Sequence, residues 1–435
     1  MSHLMTNFTQ YQTITLADGL RIVHRTSDTP VMYCGLMVDR GTRDEADPEM
    51  YGMAHFVEHI LFKGTTTRDS WHINNRMESV GGELNAFTTK EETTFYAIAL
   101  NKDFDRACQL LCDMVCHPTA PQHELEMERQ VVMDEIMSYR DTPSELIFDE
   151  FENRLFGTSS PTSSAAPWQA LGHNILGSEA TVATFDHDRC MRFIDAGYTP
   201  DRMIFFHQGA TPFDKVVRSV EKYFQCDRKA STPSPRPNVA DYRASLLAES
   251  GTEASPIVIR QGTHQCHVLI GAPTYPIGHP KAAALALVGN ILGGPGMNSR
   301  LGLELREHRG LVYTVESSIT AYSDAGYLGI YFGCDHKDLK RCLHLCQKQI
   351  QRMKDEVLTA RQLVSAQKQL CGQLGVSMAN MENNAIALAK NVLRLGRCEN
   401  LEQTCARINS VTPQLVNEVV NEVFNKSLLK TVIIQ

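Results

Sequence analysis

Residues 55–59 read His-Phe-Val-Glu-His, placing two imidazoles and a carboxylate within five positions. On a helix, His55 and His59 are neighbours on one face, about 40° apart, and both can turn a ring nitrogen towards a single ion. Imidazole suits zinc, whose hydrolytic sites use three protein ligands and keep a fourth position open. Glu58 is displaced around the helix from His59. There it could reach a water at the metal without ligating the metal itself, which is the place for a general base. The competing reading is a pair of solvated or capping histidines on an ordinary helix. The pair alone does not decide between them, and a third ligand is needed.

Carboxylates are available downstream. In LEMERQVVMDEIMSYRDTP, Glu128 and Glu135 lie seven apart, two turns along one helical face, with Val131 and Val132 assigned to the buried side. Asp134 is rotated about 100° from Glu135. Without the histidines this stretch would read as a solvated acidic helix. Cys108, Cys112 and Cys116 recur every four residues and His117 follows them. We expect a core-facing stripe there, because free cysteine behaves as a small hydrophobe. Cys342 and Cys346 are read in the same way, with His344 facing elsewhere. The chain has no Gly-x-Ser-x-Gly elbow and no Walker loop. The glycine turn in LGGPGMNSRL, with Pro295 and Gly296, is not followed by Lys-Ser/Thr and reads poorly as a phosphate loop.

These residues need elements to hold them. Gly52 precedes the first motif and Gly64 closes it, so a helix over Met53–Phe62 is expected. Further helical patterns cover Asp103–Cys116, Leu125–Tyr139, Lys281–Leu292 and Asp338–Glu356. Strand patterns cover Leu20–Arg25, Val31–Val38, Thr93–Leu100, Arg202–Gly209, Pro256–Arg260 and Gly326–Gly333. Helices and strands intermix without regular βαβ alternation, which favours a mainly antiparallel sheet with helices on one face.

The pattern also occurs twice. NAFTTKEETTFYAIAL alternates like a strand and runs into KDFDRACQLLCDMV; AYSDAGYLGIYFG runs into KDLKRCLHLCQKQI. Lys102-Asp103 matches Lys337-Asp338 at an offset of 235 (337 − 102), each Lys-Asp suiting a helix N-terminus. Residues 226–250 are rich in Pro, Ser and charge and read as a linker. The expectation is an α+β chain of two homologous domains, 1–225 and 251–435.

Bulk properties agree with a folded protein of this size. The chain has 435 residues, 43% hydrophobic and 21% charged, enough for two cores. The net charge of −8 gives no footprint for a nucleic-acid backbone. The stretch MSHLMTNFTQYQT carries neither a basic nor an apolar signal-like region, so no secretory signal is expected, and without a run of 18 apolar residues no membrane span is expected either. Thirteen cysteines, an odd number, fit a reducing cytoplasm.

The residues carry a family resemblance. H-x-x-E-H followed by E-x6-E is similar to the signature of the inverzincin metallopeptidases, the pitrilysin family. The chain resembles their smaller branch, which includes the mitochondrial processing peptidase and bacterial relatives. In that family the second glutamate of the pair, 76 positions past the second histidine, completes the metal site; here 135 − 59 = 76 gives Glu135. The resemblance thus implies one zinc per chain held by His55, His59 and Glu135, with Glu58 as general base and Glu128 as a supporting residue. GGELNAFTTKEETTFY resembles the family's substrate-pairing edge strand, with Asn85 and Ala86 beside the metal. SRLGLELREHRGLVYTVES resembles its clamping segment, with Arg306 and Tyr313 holding a peptide carbonyl or oxyanion. A clamshell of two domains, extended or unfolded peptide substrates, and a homodimer or a pair with a homologous subunit are implied likewise.

Three functions follow from these readings: a zinc endopeptidase, a non-catalytic peptide-binding partner subunit, and a metal-dependent hydrolase of something other than peptides. The intact histidines and glutamates count against the second. A strand-pairing edge, for which a small-molecule hydrolase has no use, counts against the third.

Overall fold

The computed structural model describes residues 11–45, 47–157, 167–229 and 255–435, so most of the expected linker 226–250 lies outside the described residues. The chain forms two compact units.

The first unit, Met1–Ser138, His173–Pro235 and Met378–Asn400, is built on a six-stranded sheet. Its strands are β1 (Tyr11–Thr15), β2 (Arg21–Thr26), β3 (Val31–Val38), β4 (Glu83–Thr88), β5 (Thr93–Leu100) and β6 (Met203–Gly209), in the order β1-β2-β6-β3-β5-β4. Only β2 and β6 run parallel; the other pairs are antiparallel. Between β3 and β4 come helices α1 (Met53–Ile60) and α2 (Ser70–Glu78), and after β5 come α3 (Phe104–Cys116) and α4 (Gln122–Arg140).

Alternation along the central strands sorts the two faces of this sheet. Phe205 and His207 of β6 point towards α3, where both rings meet Phe104. Ile204 and Phe206 point the other way, with Val23, Met37 and Tyr96, into a cluster closed by the helix Met381–Leu395. That helix is fixed electrostatically. Arg394 pairs with Asp39 and with Glu92 (2.8 Å), Lys390 pairs with Glu92 (2.6 Å), and the Tyr96 hydroxyl donates to Glu382 (2.7 Å).

The second unit, Tyr139–Gly172, Arg236–Ser377 and Leu401–Gln435, repeats the plan with one strand fewer. Its sheet is ordered β7-β11-β8-β10-β9, from β7 (Ile257–Ile259), β8 (Cys266–Pro273), β9 (Val312–Ala321), β10 (Gly326–Cys334) and β11 (Lys430–Ile434). The single parallel pair, β7 with β11, stands where β2 pairs with β6. One face packs on the helices Ala282–Gly293, Leu339–Asp355, Ala360–Ser377 and Pro413–Val423. The other face packs on α5 (Pro143–Phe156), through Phe151, Phe156, Tyr322 and Tyr327. The 235-residue offset is structural too: the 3-10 turn Asn101–Asp103 and the start of α3 at Phe104 recur as His336–Asp338 and Leu339.

Several expectations change in detail. The compact units are not the contiguous stretches 1–225 and 251–435. The second face of each sheet carries apolar side chains, and the helix that covers it comes from the opposite half of the chain. NAFTTKEETTFYAIAL is a hairpin, β4 and β5, rather than one strand, because the polar stretch Thr89–Glu92 turns the chain. Asp103 and Asp338 stand at helix N-termini without a side-chain capping bond. Val131 is exposed and only Val132 is buried, since successive helical residues diverge by about 100°. The cysteines at 108, 112, 116, 342 and 346 are core residues, and His344 is exposed.

Candidate metal centre

The centre lies where α1 and α4 of the first unit meet. The path into α1 is tightly specified. Gly52 has φ 96°, and a Cβ there would come within 2.6 Å of the Leu176 carbonyl oxygen, so glycine is required. The buried Glu45 carboxylate accepts the backbone N–H groups of Gly52 (2.9 Å) and Ala54 (2.7 Å), satisfying donors the helix leaves open. His173 Nε2 sits 3.0 Å from Glu45, and its ring stacks on Tyr51 at 3.8 Å.

One turn further on, His55 Nε2 and His59 Nε2 are 3.3 Å apart, and Glu135 Oε2 of α4 lies 3.7 and 3.6 Å from them. A tetrahedral zinc with Zn–N distances near 2.0–2.1 Å separates its ligand atoms by roughly 3.3 Å, so the three atoms stand close to a zinc triangle. His59 Nδ1 donates to Glu128 Oε1 at 2.7 Å, which fixes the tautomer that leaves Nε2 free for a metal. Lys63 Nζ holds the other Glu128 oxygen at 2.6 Å. His55, His59 and Glu135 are also the one group among the described residues whose ligand atoms cluster closely enough for an ion. The residues fit the metal.

The electrostatics are those of a site rather than a solvated helix. Burial, reinforced by His59, pushes the His55 imidazole down to about 3, so it is neutral and able to ligate at neutral pH. Burial also works against charge on His59, but the bond to Glu128 and the surrounding carboxylates outweigh it and raise this group. Glu128 is held below its usual range, because the bonds from His59 and Lys63 outweigh its burial. Glu58 is raised by burial, partly offset by the Thr88 hydroxyl, which donates to Glu58 Oε2 at 2.6 Å.

Thr88 ends β4, the outermost strand of its sheet, and Asn85 and Ala86 lie on that strand paired with Tyr96 and Phe95. Five of the expected residues (His55, Glu58, His59, Glu128 and Glu135) therefore come together, and Asn85 and Ala86 lie on the strand that touches Glu58. Arg306 and Tyr313 belong to the second unit. Arg306 is in a π-helical turn, Gly302–Glu307, paired with Glu307 at 2.8 Å; Tyr313 is 89% exposed on the edge strand β9. Three contributors escaped sequence reasoning. Lys63 follows His59 by four residues in the turns that continue from α1, a spacing that signals a reach to the same side. Thr88 sat in the quoted edge-strand segment, whereas Glu45 is marked by no local pattern.

Comparisons agree with this architecture. Residues 21–165 match the family described as insulinase, peptidase family M16, and residues 184–370 match the M16 inactive domain. An uncharacterized zinc protease of Bacillus subtilis is 31% identical over 413 residues, 95% of either chain. One of Streptomyces coelicolor is also 31% identical, over 95% of this chain and 87% of the other. A protease from Helicobacter pylori superposes with a TM-score of 0.83 at 20% identity, covering 98% of this chain and all of that one. A structure described as the M16 inactive domain from Pseudomonas fluorescens gives 0.84, also at 20% identity, over 98% and 97% of the two chains. The chain belongs to the M16 peptidase family.

Proposed function

We propose that the chain is a zinc-dependent endopeptidase acting on extended peptides, with one zinc held by His55, His59 and Glu135. The observation that carries this reading is the ligand triangle of 3.3, 3.6 and 3.7 Å, with the buried Glu58 beside it on the same helix. The zinc-protease names of the relatives support it. When bound, zinc supplies Lewis acidity, making water a nucleophile at neutral pH and polarising a carbonyl.

The chain's own residues do the rest. Glu58, raised by burial yet hydrogen-bonded to Thr88, accepts the proton of the attacking water and delivers it to the leaving amine. Glu128 keeps His59 in the ligating tautomer, and Lys63 keeps Glu128 charged. The outer edge of β4 offers backbone groups to which an extended peptide can add as a strand, past Asn85 and Ala86. In our reading Arg306 and Tyr313 act on the substrate from the second unit, as the resemblance implies, and the chain works as a homodimer or beside a homologous subunit.

No helix among the described residues is long and apolar enough to cross a membrane. Cleavage of quenched fluorescent peptides by the purified chain, abolished by a chelator and restored by zinc, is the expected result. Zinc bound at one per chain without any cleavage would instead favour a subunit that needs a partner, and light scattering on the same sample reports the assembly. Cleavage indifferent to chelation would overturn the zinc reading.

A further inference from the structure

We propose that Cys226 is a site of oxidation by hydroperoxides and that Cys116 resolves it into an intramolecular disulfide. The two residues are 110 positions apart (226 − 116). They meet where the chain, having left the helix Phe213–Tyr223, passes the C-terminal end of α3. Cys226 is half-buried and so reachable by a small oxidant; Cys116 is nearly closed off, and one guanidinium, that of Arg228, contacts both the Cys226 sulfur and the Cys116 carbonyl.

Arg228 builds the surroundings. Its guanidinium donates to the carbonyls of Val115 (3.0 Å), Cys116 (3.0 Å) and Tyr198 (3.1 Å), pairs with Asp195 (3.3 Å), and reaches Cys226 Sγ at 3.7 Å. One buried cation therefore ties residues 226–229 to α3 and faces the sulfur. The neighbouring Cys116 side chain, aided by Arg228 and His117, draws the Cys226 thiol down to about 6, so the thiolate is the main form at neutral pH.

Other cysteine pairs lack one part of this set. Cys334 and Cys342 are neighbours, but both are buried. Cys371 and Cys405 are half-buried neighbours, yet burial pushes Cys371 up to about 11, with no cation among the groups that shift it. Low thiol pKa, access and an adjacent resolving cysteine are what distinguish redox-active cysteines from inert ones.

The chemistry balances. The Cys226 thiolate attacks one peroxide oxygen and the O–O bond breaks. The leaving oxygen takes a proton, and a sulfenic acid remains. The Cys116 sulfur then attacks the Cys226 sulfur; its proton leaves with the departing hydroxyl as water, and the S–S bond closes. Two thiols and one hydroperoxide give one disulfide, one water and one alcohol, or a second water when the oxidant is hydrogen peroxide. Two electrons pass from sulfur to oxygen.

The test is mild treatment of the full chain with hydrogen peroxide, read by intact mass and peptide mapping. The expected product is lighter by about 2 Da, yields a fragment joining Cys116 to Cys226, and reverts with dithiothreitol. Cys116→Ser should stop at the sulfenic acid, heavier by about 16 Da and trapped by dimedone at Cys226. Arg228→Gln should slow alkylation of Cys226 at pH 6.5 by at least about threefold. No loss of mass, a cross-link joining any other pair, or the same loss in Cys226→Ser would overturn the assignment.

Discussion

The helix that follows β3 in the first unit and β8 in the second is where the two units part company. In the first unit this is α1, MAHFVEHI, which buries His55 and Glu58. In the second, the helix Ala282–Gly293 reads AAALALVGNILG and buries only small and apolar side chains. Sheet order, the single parallel pair and the 3-10 turn before the next helix are otherwise shared. The second unit thus shows that the framework closes without polar residues at this place. Desolvating two imidazoles and two carboxylates is costly, and nothing in the fold demands it. In a matched pair of units, the one that carries this burden is the one where the candidate metal centre lies.

The largest way to test the contrast is to remove the ligands. His59→Ala should lose both bound zinc and peptide cleavage, whereas a substitution on the apolar helix of the second unit should leave zinc content unchanged. Metal analysis of the purified variants decides this; a His59→Ala protein with full zinc would place the ion elsewhere. Next in size is Glu58→Gln. It should retain zinc and lose about 10²–10⁴ in kcat, the range for a positioned general base. Cleavage at the native rate would remove Glu58 from that role.

The units also differ in how they hold the helix from the opposite half of the chain. In the first, Met381–Leu395 is tied by Arg394 and Lys390 to Asp39 and Glu92. In the second, α5 is tied by aromatic packing, with the Tyr322 hydroxyl donating to Glu152 at 2.5 Å. Phe151→Ala should cost about 3–5 kcal/mol and weaken hydrogen-exchange protection in β8 and β11. Arg394→Met, which leaves buried acids underpaired, should cost about 3 kcal/mol and weaken protection in β3 and β6. If either variant loosened both sheets equally, the two anchors would not be local. A smaller effect is expected at Glu128→Gln, about 10–100-fold in zinc affinity, measured by competition with a chromogenic chelator. Unchanged affinity would mean that the 2.7 Å bond to His59 does not govern ligation.

Much of this was legible in the chain. The strands Val31–Val38 and Thr93–Leu100 stand where their alternation puts them, and α1 and α3 begin within a residue of expectation. Their signals are local: apolar periodicity, a glycine before, a polar turn after. The histidine pair was legible through its i, i+4 spacing, whereas Glu135 was singled out among the downstream carboxylates only by the family resemblance. What escaped depends on distant contacts. Short edge strands such as β1 carry little periodicity, and Glu45 acts on α1 only because the chain folds back over it. The exchange of covering helices was also hidden. Neither Pro143–Phe156 nor Met381–Leu395 marks its sheet by local pattern, because the partners that select it lie far along the chain: Tyr322 and Tyr327 for the first, Asp39 and Glu92 for the second.

The last difference between the units lies in the strand that joins the parallel pair to the rest of each sheet. β6 carries His207, fully buried, with its Nδ1 3.0 Å from His24 Nδ1. Its counterpart β11 presents Val432, Ile433 and Ile434 instead. Burial, reinforced by His24, depresses His207 to about 3, so the folded state keeps it neutral while the unfolded chain protonates it near 6.5. Between these values the unfolded state binds more protons, and stability must fall as pH falls. At pH 5.5 the loss from His207 alone should be about 1.4 kcal/mol relative to pH 7.5, growing by a similar amount for each further unit until the folded value is reached. His207→Gln keeps a polar partner for His24 but cannot titrate in this range. Its stability should therefore decline less steeply between pH 7.5 and 5 than that of the native chain, measured by urea unfolding in a chelator so that metal release is common to both. Parallel slopes would mean that the acid sensitivity of the first unit arises elsewhere.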